Sequence, residues 1–249
     1  MKLEEKLKEK FLNTKSKNIF KYIYYFFQKI RKDKYIKISY SGGAVDLIVE
    51  HYFKDKKKGI YIDIGAYHPF YGSNTYKLFL KGWSGINIDL DPQTIDSFNY
   101  FRPKDENICA AVSEAISEKN LYFHHNRSAI NTLVEKMGHR AKEIRKIKTT
   151  TINKILEDSK FKGLNIDFLS IDVEGHELDV IKGLDFQKYS PKIIVIEHQD
   201  PMMKKVEFHN QNIERTIKCD IYKYMISKNY VLINWLHSDL VFINKKFQD

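Results

Sequence analysis

The stretch IDFLSIDVEGHELDVIKG, Ile166 to Gly183, sets an apolar run against Asp172, Glu174 and Glu177, with Gly175 and His176 among them. Carboxylates gathered at the end of an apolar segment suit proton transfer, cation binding or the capping of a following helix. Other apolar runs end in the same way. Asp63 closes GIYIDIG, Asp89 closes WSGINIDLDP, Ser113 and Glu114 close NICAAVSE, and Glu197 and His198 close SPKIIVIEHQD. Any one of these residues taken alone reads most simply as a helix N-cap or a solvated turn. Five endings of one kind point to a common site.

The elements that would position these residues alternate. Near-continuous β-branched and aromatic runs are interspersed with helical segments such as SNTYKLFLKG and HELDVIKG. That pattern predicts a parallel sheet covered on both faces. NYVLINWLHSDLVFINK predicts an antiparallel hairpin at the sheet edge. In such a sheet ligands bind outside the carboxyl ends of the strands, where the strand order reverses. Residues 1 to about 30 read as helical and are aromatic in IFKYIYYFFQKI, so the expected organisation is an N-terminal helical extension over 1–50 and a catalytic domain over 51–249. The extension is expected to pack on the main domain, to form a homodimer contact or to lie on a membrane surface. A polar, basic insertion, 121–148, carries His124 and His125, expected as surface loop residues, and insertions beside strand ends commonly set specificity. Trp83 and Trp235 are expected in the core.

The chain has 249 residues and a formal net charge of +10. The charge invites a nucleic-acid partner, but a Lys-, Ile-, Asn- and Tyr-rich composition also follows from an AT-rich genome, so it carries little weight. Cys109 and Cys219 stand apart without a CxxC partner, which argues against a disulfide framework or zinc knuckle and for a reducing, cytoplasmic compartment. There is no signal peptide pattern, and no apolar run approaches the roughly 20 residues of a membrane span.

Asp89 follows Gly65 by 24 positions, close to the offset at which an acid on the second strand takes ribose hydroxyls. Yet DIGAYHPFYG is not GxGxxG: Tyr67, His68 and Pro69 stand where a glycine would let the backbone approach a pyrophosphate, which disfavours a nicotinamide dehydrogenase. The ligand these residues imply has a ribose without a diphosphate. Adenosine bearing a methionine sulfonium fits, with carboxylates at Asp63 and nearby facing its positive charge.

The segments YIDIGAYHP, GINIDLDP, CAAVSE, TTTINKIL, IDFLSIDVEGHELDVIKG and PKIIVIEHQ together resemble the FkbM-type family of S-adenosylmethionine-dependent methyltransferases. The resemblance implies a Rossmann-like, doubly wound class I methyltransferase sheet, α/β and mostly parallel with an antiparallel C-terminal hairpin. It implies S-adenosyl-L-methionine as donor, with Asp63, Gly65, Ala66 and Tyr67 along the methionine moiety, Asp89 on the ribose, and Ala111, Val112 and Ser113 bordering adenine. Ser73, Asn74 and Thr75 of the SNTY segment would supply contacts that the Tyr67–His68–Pro69 corner lacks.

For transfer to a hydroxyl, a base is expected among Asp172, Glu174, His176, Glu197 and His198, with Asp172, Glu174 and His198 the leading catalytic candidates. Glu177 is expected only to stabilise a helix N-terminus. A divalent metal held by Asp172, Glu197 and His198 is the alternative. The resemblance points to an O-methyltransferase whose acceptor is a small molecule, a sugar of a surface polysaccharide, glycolipid or natural product, carried on a nucleotide in some cases. The rivals are a nucleic-acid methyltransferase, disfavoured because DVEG stands where a PPY-type element would, and a non-enzymatic module of the same fold.

Overall fold

In the computed structural model the described residues form ten strands. They are β1 (Ile60–Ile64), β2 (Ser84–Asp89), β3 (Glu106–Cys109), β4 (Ala111–Val112), β5 (Glu118–Phe123), β6 (Glu143–Thr150), β7 (Phe168–Ile171), β8 (Ile193–Glu197), β9 (Tyr230–Leu236) and β10 (Asp239–Asn244). The structure describes residues 18–30, 36–198 and 212–248. The main sheet has seven strands in the order β3-β2-β1-β7-β8-β10-β9. β3, β2, β1, β7 and β8 pair in parallel, and β10 joins β8 and β9 antiparallel. The chain runs outward through β1, β2 and β3 and returns to β7 on the other side of β1. This is a doubly wound Rossmann-like sheet with its switch point between β1 and β7.

Alternation within the apolar runs fills both faces. Ile62, Ile86, Leu169, Ile194 and Phe242 point to one side, where helices Ile152–Asp158, Glu177–Lys182 and Asp220–Ser227 cover them. Tyr61, Phe168, Ile193, Val195 and Val241 point to the other, against Val45 and Val49 of helix Val45–Tyr52, Leu78 and Trp83. A sheet apolar on both faces must be covered on both, which explains why the helix before β1 is part of this body. The chain divides into compact units Met1–Ile38 and Ser39–Asp249. The expected boundary at residue 50 therefore moves upstream, because Val45 and Val49 are fully buried against the sheet. Of the expected N-terminal helix, Asn18–Ile30 is described and is helical; residues 1–17 lie outside the described residues.

Two sequence expectations need correction. NICAAVSE is not one strand. The Ala110 N–H donates to the Asp89 carbonyl at 2.9 Å, and the chain then leaves the main sheet. Ala111–Val112 pairs instead with β6 in a second sheet of order β4-β6-β5, built largely from the insertion. Ser113 thus ends a strand of the small sheet and not of the large one. His124, expected in a surface loop, is buried, and its N–H donates to Asn131 Oδ1 at 2.8 Å.

Candidate active site

At the switch point the ends of β1 and β7 touch. Gly65 has φ +77°, and a Cβ built on it would lie 1.6 Å from the Asp172 carbonyl oxygen. Its N–H donates to the Ile88 carbonyl at 2.9 Å, and the Asp172 N–H donates to the Ile64 carbonyl at 2.9 Å. One residue without a side chain therefore locks three strand ends together. Tyr67 follows with φ 51° and donates its N–H to Asp89 Oδ2 at 3.0 Å, while the Asp91 N–H donates to Asp89 Oδ1 at 2.8 Å. Both Asp89 oxygens are thus oriented by backbone donors beside the cleft. Burial pushes the Asp89 carboxyl up to about 6 against those two bonds.

Asp63 lies on the cleft wall but is buried, and its Oδ2 accepts from Thr75 Oγ1 at 2.7 Å. Burial raises its pKa, opposed by the Thr75 bond and the Arg102 charge. Arg102 is the side chain that sequence reasoning missed. It is fully buried, donates to Thr75 Oγ1 at 2.8 Å, to Ser73 Oγ at 2.9 Å and to the Pro69 carbonyl, and lies about 5 Å from the ring centres of Tyr76, Phe79 and Phe98. It holds the 69–75 loop in shape. Thr75 consequently turns inward to Asp63 and Arg102 and is not on the cleft wall, whereas Ser73 and Asn74 are. Arg102→Lys, which keeps the charge and loses the fork, is expected to cost about 2 kcal/mol of stability in urea unfolding.

The acid-rich turn has a defined architecture. Glu174 has φ 55°, and Glu177 reaches back so that its Oε1 accepts from the N–H groups of Val173 at 3.1 Å and Gly175 at 2.9 Å. Glu177 therefore shapes the turn as well as standing at a helix N-terminus. The carboxylate oxygens of Asp172, Glu174 and Glu197 lie within 4.8 Å of one another. Solvent reaches Asp172 from the open cleft, but protein encloses it elsewhere. That enclosure, then Glu197, Glu174 and Asp239, holds its carboxyl well above the usual carboxylate range. His176 connects this turn to the small sheet: its Nε2 is 3.0 Å from Ser113 Oγ and its Nδ1 3.3 Å from Asp179 Oδ2. Ser113, expected beside adenine, is fully buried under that contact and does not line the cleft.

Expected metal ligands are only partly brought together. Among the described residues the converging group is Asp172, Glu174 and Glu197; His198 is not in it, and its N–H donates to the Ser238 carbonyl at 2.7 Å. An all-carboxylate set fits a hard cation such as Mg²⁺ better than the mixed set read from the sequence.

Buried acids give the fold a pH dependence with a definite sign. Burial, with Glu197 nearby, pushes Glu177 and Asp239 up to about 7. Between about pH 4 and 7 the folded protein then holds more protons than the unfolded chain, so this stabilisation is complete at low pH and is lost as pH rises through 7. The ligand-free protein should be more stable at pH 6 than at pH 8, on the order of 2 kcal/mol. Urea unfolding at the two values checks this; stability rising with pH would refute it.

The fourth wall comes from the insertion. The Arg127 N–H donates to Asp91 Oδ2 at 2.5 Å, and Thr132 Oγ1 donates to the Glu174 carbonyl at 2.7 Å. The segment thus reaches from the end of β2 to the acid turn, and Arg127, Ser128, Asn131 and Leu133 line the cleft. With Gly65, Ala66, Tyr67, Asp89, Ala111, Val112, Asp172 and Glu174 they enclose about 1060 Å³, counting space open to solvent.

A methyltransferase FkbM domain model matches residues 63–229, well over half of the chain. No curated protein matches the sequence. Among solved structures the chain is similar to a precorrin-6y C5,15-methyltransferase from Geobacter metallireducens GS-15, at 8% identity and a TM-score of 0.38 over 80% of this chain and 84% of that one. The match over 63–229 begins in the last residues of β1 and takes in β2, the acid turn and β8, and by it the chain belongs to the FkbM methyltransferase family, whose donor is S-adenosylmethionine.

Proposed function

We propose that the protein is an O-methyltransferase whose acceptor is a hydroxyl of a sugar, free or nucleotide-linked. The observation that carries this reading is the Gly65–Asp172 contact. It joins the ends of β1 and β7, with Asp89 at the end of β2 on one side of β1 and the acid cluster Asp172–Glu174–Glu197 at the ends of β7 and β8 on the other. When bound, S-adenosylmethionine supplies an electrophilic methyl group on a positively charged sulfur. Asp89, already oriented by Tyr67 and Asp91, would accept from the ribose hydroxyls, and the small side chains of Ala111 and Val112 would border the adenine. Asp63 would act from a distance, as a buried charge held by Thr75.

The chemistry left to the protein is alignment and removal of one proton. A carboxylate of ordinary pKa is a weak base at neutral pH. Asp172, raised by its enclosure and its acidic neighbours, is better matched to a hydroxyl that loses its proton as the new bond forms. Glu174 and Glu197 stand beside it in the cluster. A cytoplasmic location accords with two free cysteines. A second reading is favoured by the convergence of three carboxylates: Asp172, Glu174 and Glu197 would hold a divalent cation that lowers the acceptor's pKa.

Calorimetric titration with S-adenosylhomocysteine tests the donor half, and Asp89→Ala should weaken binding about 100-fold by removing charge-assisted hydrogen bonds. Undetectable binding by the unaltered protein would sink the enzyme reading in favour of a non-enzymatic module. Screening nucleotide-linked and free sugars for methylated product tests the acceptor half, and transfer confined to nucleic acid would overturn it. Turnover that survives a chelator removes the cation.

A further inference from the structure

Net charge in this chain is not spread evenly. Residues 1–35 hold eleven of the 42 Lys and Arg and four of the 32 Asp and Glu, which is +7 of the formal +10. The same segment contains helix Asn18–Ile30, NIFKYIYYFFQKI. At 100° per residue, Tyr22, Phe26, Ile23 and Phe27 cover one continuous arc, Lys21 and Tyr25 lie outside it, and Lys29 borders it one heptad from Tyr22. The apolar side is in solvent: Tyr22 is 68% exposed, Phe26 61% and Phe27 64%.

We propose that this helix seats the protein on an anionic lipid surface, lying in the plane of the interface with Tyr22, Ile23, Phe26 and Phe27 among the acyl chains and Lys21 and Lys29 at the headgroups. Thirteen residues extend about 20 Å, short of the roughly 30 Å hydrocarbon core, so the helix cannot span; no described helix is long and apolar enough to cross a membrane. An amphipathic helix with aromatic and Lys faces, flanked by Lys15, Lys17, Arg31, Lys32 and Lys34, has the composition that anionic headgroups attract and aromatic rings anchor. The charge argues for lipid over a second copy of the chain, since two such segments repel one another. The exposed aromatic side argues for lipid over nucleic acid, whose backbone would engage the lysines and leave those rings in water.

The test uses the full chain and flotation with vesicles of phosphatidylcholine, alone or mixed with phosphatidylglycerol. Binding to the mixed vesicles should exceed binding to phosphatidylcholine at least about tenfold and weaken with added salt. Lys21→Glu with Lys29→Glu should remove the preference for anionic lipid. Phe26→Asp with Phe27→Asp should abolish flotation while leaving thermal unfolding and S-adenosylhomocysteine affinity unchanged, which separates lost anchoring from misfolding. Tyr22→Trp reports insertion directly, by a blue shift of its fluorescence on anionic vesicles. Failure of the unaltered protein to float overturns the proposal, whether the protein then forms concentration-dependent dimers, shifts a nucleic-acid probe or does neither. So does flotation that the double Asp variant retains.

Discussion

Gly65→Ala is expected to destabilise the folded protein by about 2–4 kcal/mol and to eliminate S-adenosylhomocysteine binding. Two effects add. The backbone at Gly65 lies at φ +77°, where a side chain costs about 1 kcal/mol. The larger effect is the collision, because the new methyl would sit 1.6 Å from the Asp172 carbonyl oxygen, a backbone atom that no rotamer change can move. Asp172 cannot retreat freely, since its own N–H is bonded to the Ile64 carbonyl. The ends of β1 and β7 must part, and Ala66, Tyr67 and the donors that orient Asp89 move with them. Gly72→Ala is the control. It also has positive φ, +65°, but nothing lies within 4 Å of the added carbon, so it should cost only about 1 kcal/mol. Urea midpoints and calorimetry on both variants decide the matter. If Gly65→Ala bound the nucleoside product normally, the switch-point contact would not be what shapes the donor site.

The sequence reveals this contact only indirectly. Asp63, Asp89, Asp172 and Glu197 were legible because an acid ending an apolar run is conspicuous, and a parallel sheet collects strand ends on one side. Other residues gave no such signal. Arg102, in FRPKDEN, has a solvated appearance and is fully buried because its partners Pro69, Ser73 and Thr75 come from a loop far away in sequence. The path NICAAVSE reads as continuous because apolar residues serve either sheet equally well; only the Ala110 bond to Asp89 shows where the chain changes sheets. The same ambiguity misplaced Ser113. In the insertion, Arg127 to Leu133 has neither helical nor strand periodicity, so nothing local announced that it would wall the cleft. The helix Val45–Tyr52 went to the wrong side of the boundary because composition changes later, near Lys58, than the fold does.

Asp172→Asn is the substitution in which activity and stability should part. The change keeps the size of the side chain and removes an acid crowded by Glu197, Glu174 and Asp239. If Asp172 takes the acceptor's proton, transfer should fall about 1000-fold, within the range that general bases contribute, while affinity for S-adenosylhomocysteine stays within a few-fold. Thermal stability should rise at the same time. A carboxyl held well above its ordinary range is a group that folding disfavours in its charged form, and the amide removes that penalty above neutral pH. Glu177→Gln offers the contrast. Its carboxylate accepts from Val173 and Gly175 within the turn, so losing the charge weakens bonds that define the turn and gives less stability in return. A purely structural Asp172 would lose stability on substitution and disturb donor binding; a base would lose turnover alone. Thermal unfolding, calorimetry and single-turnover transfer on the one variant separate these outcomes, and full turnover by Asp172→Asn would move the search for the base to Glu174 and Glu197.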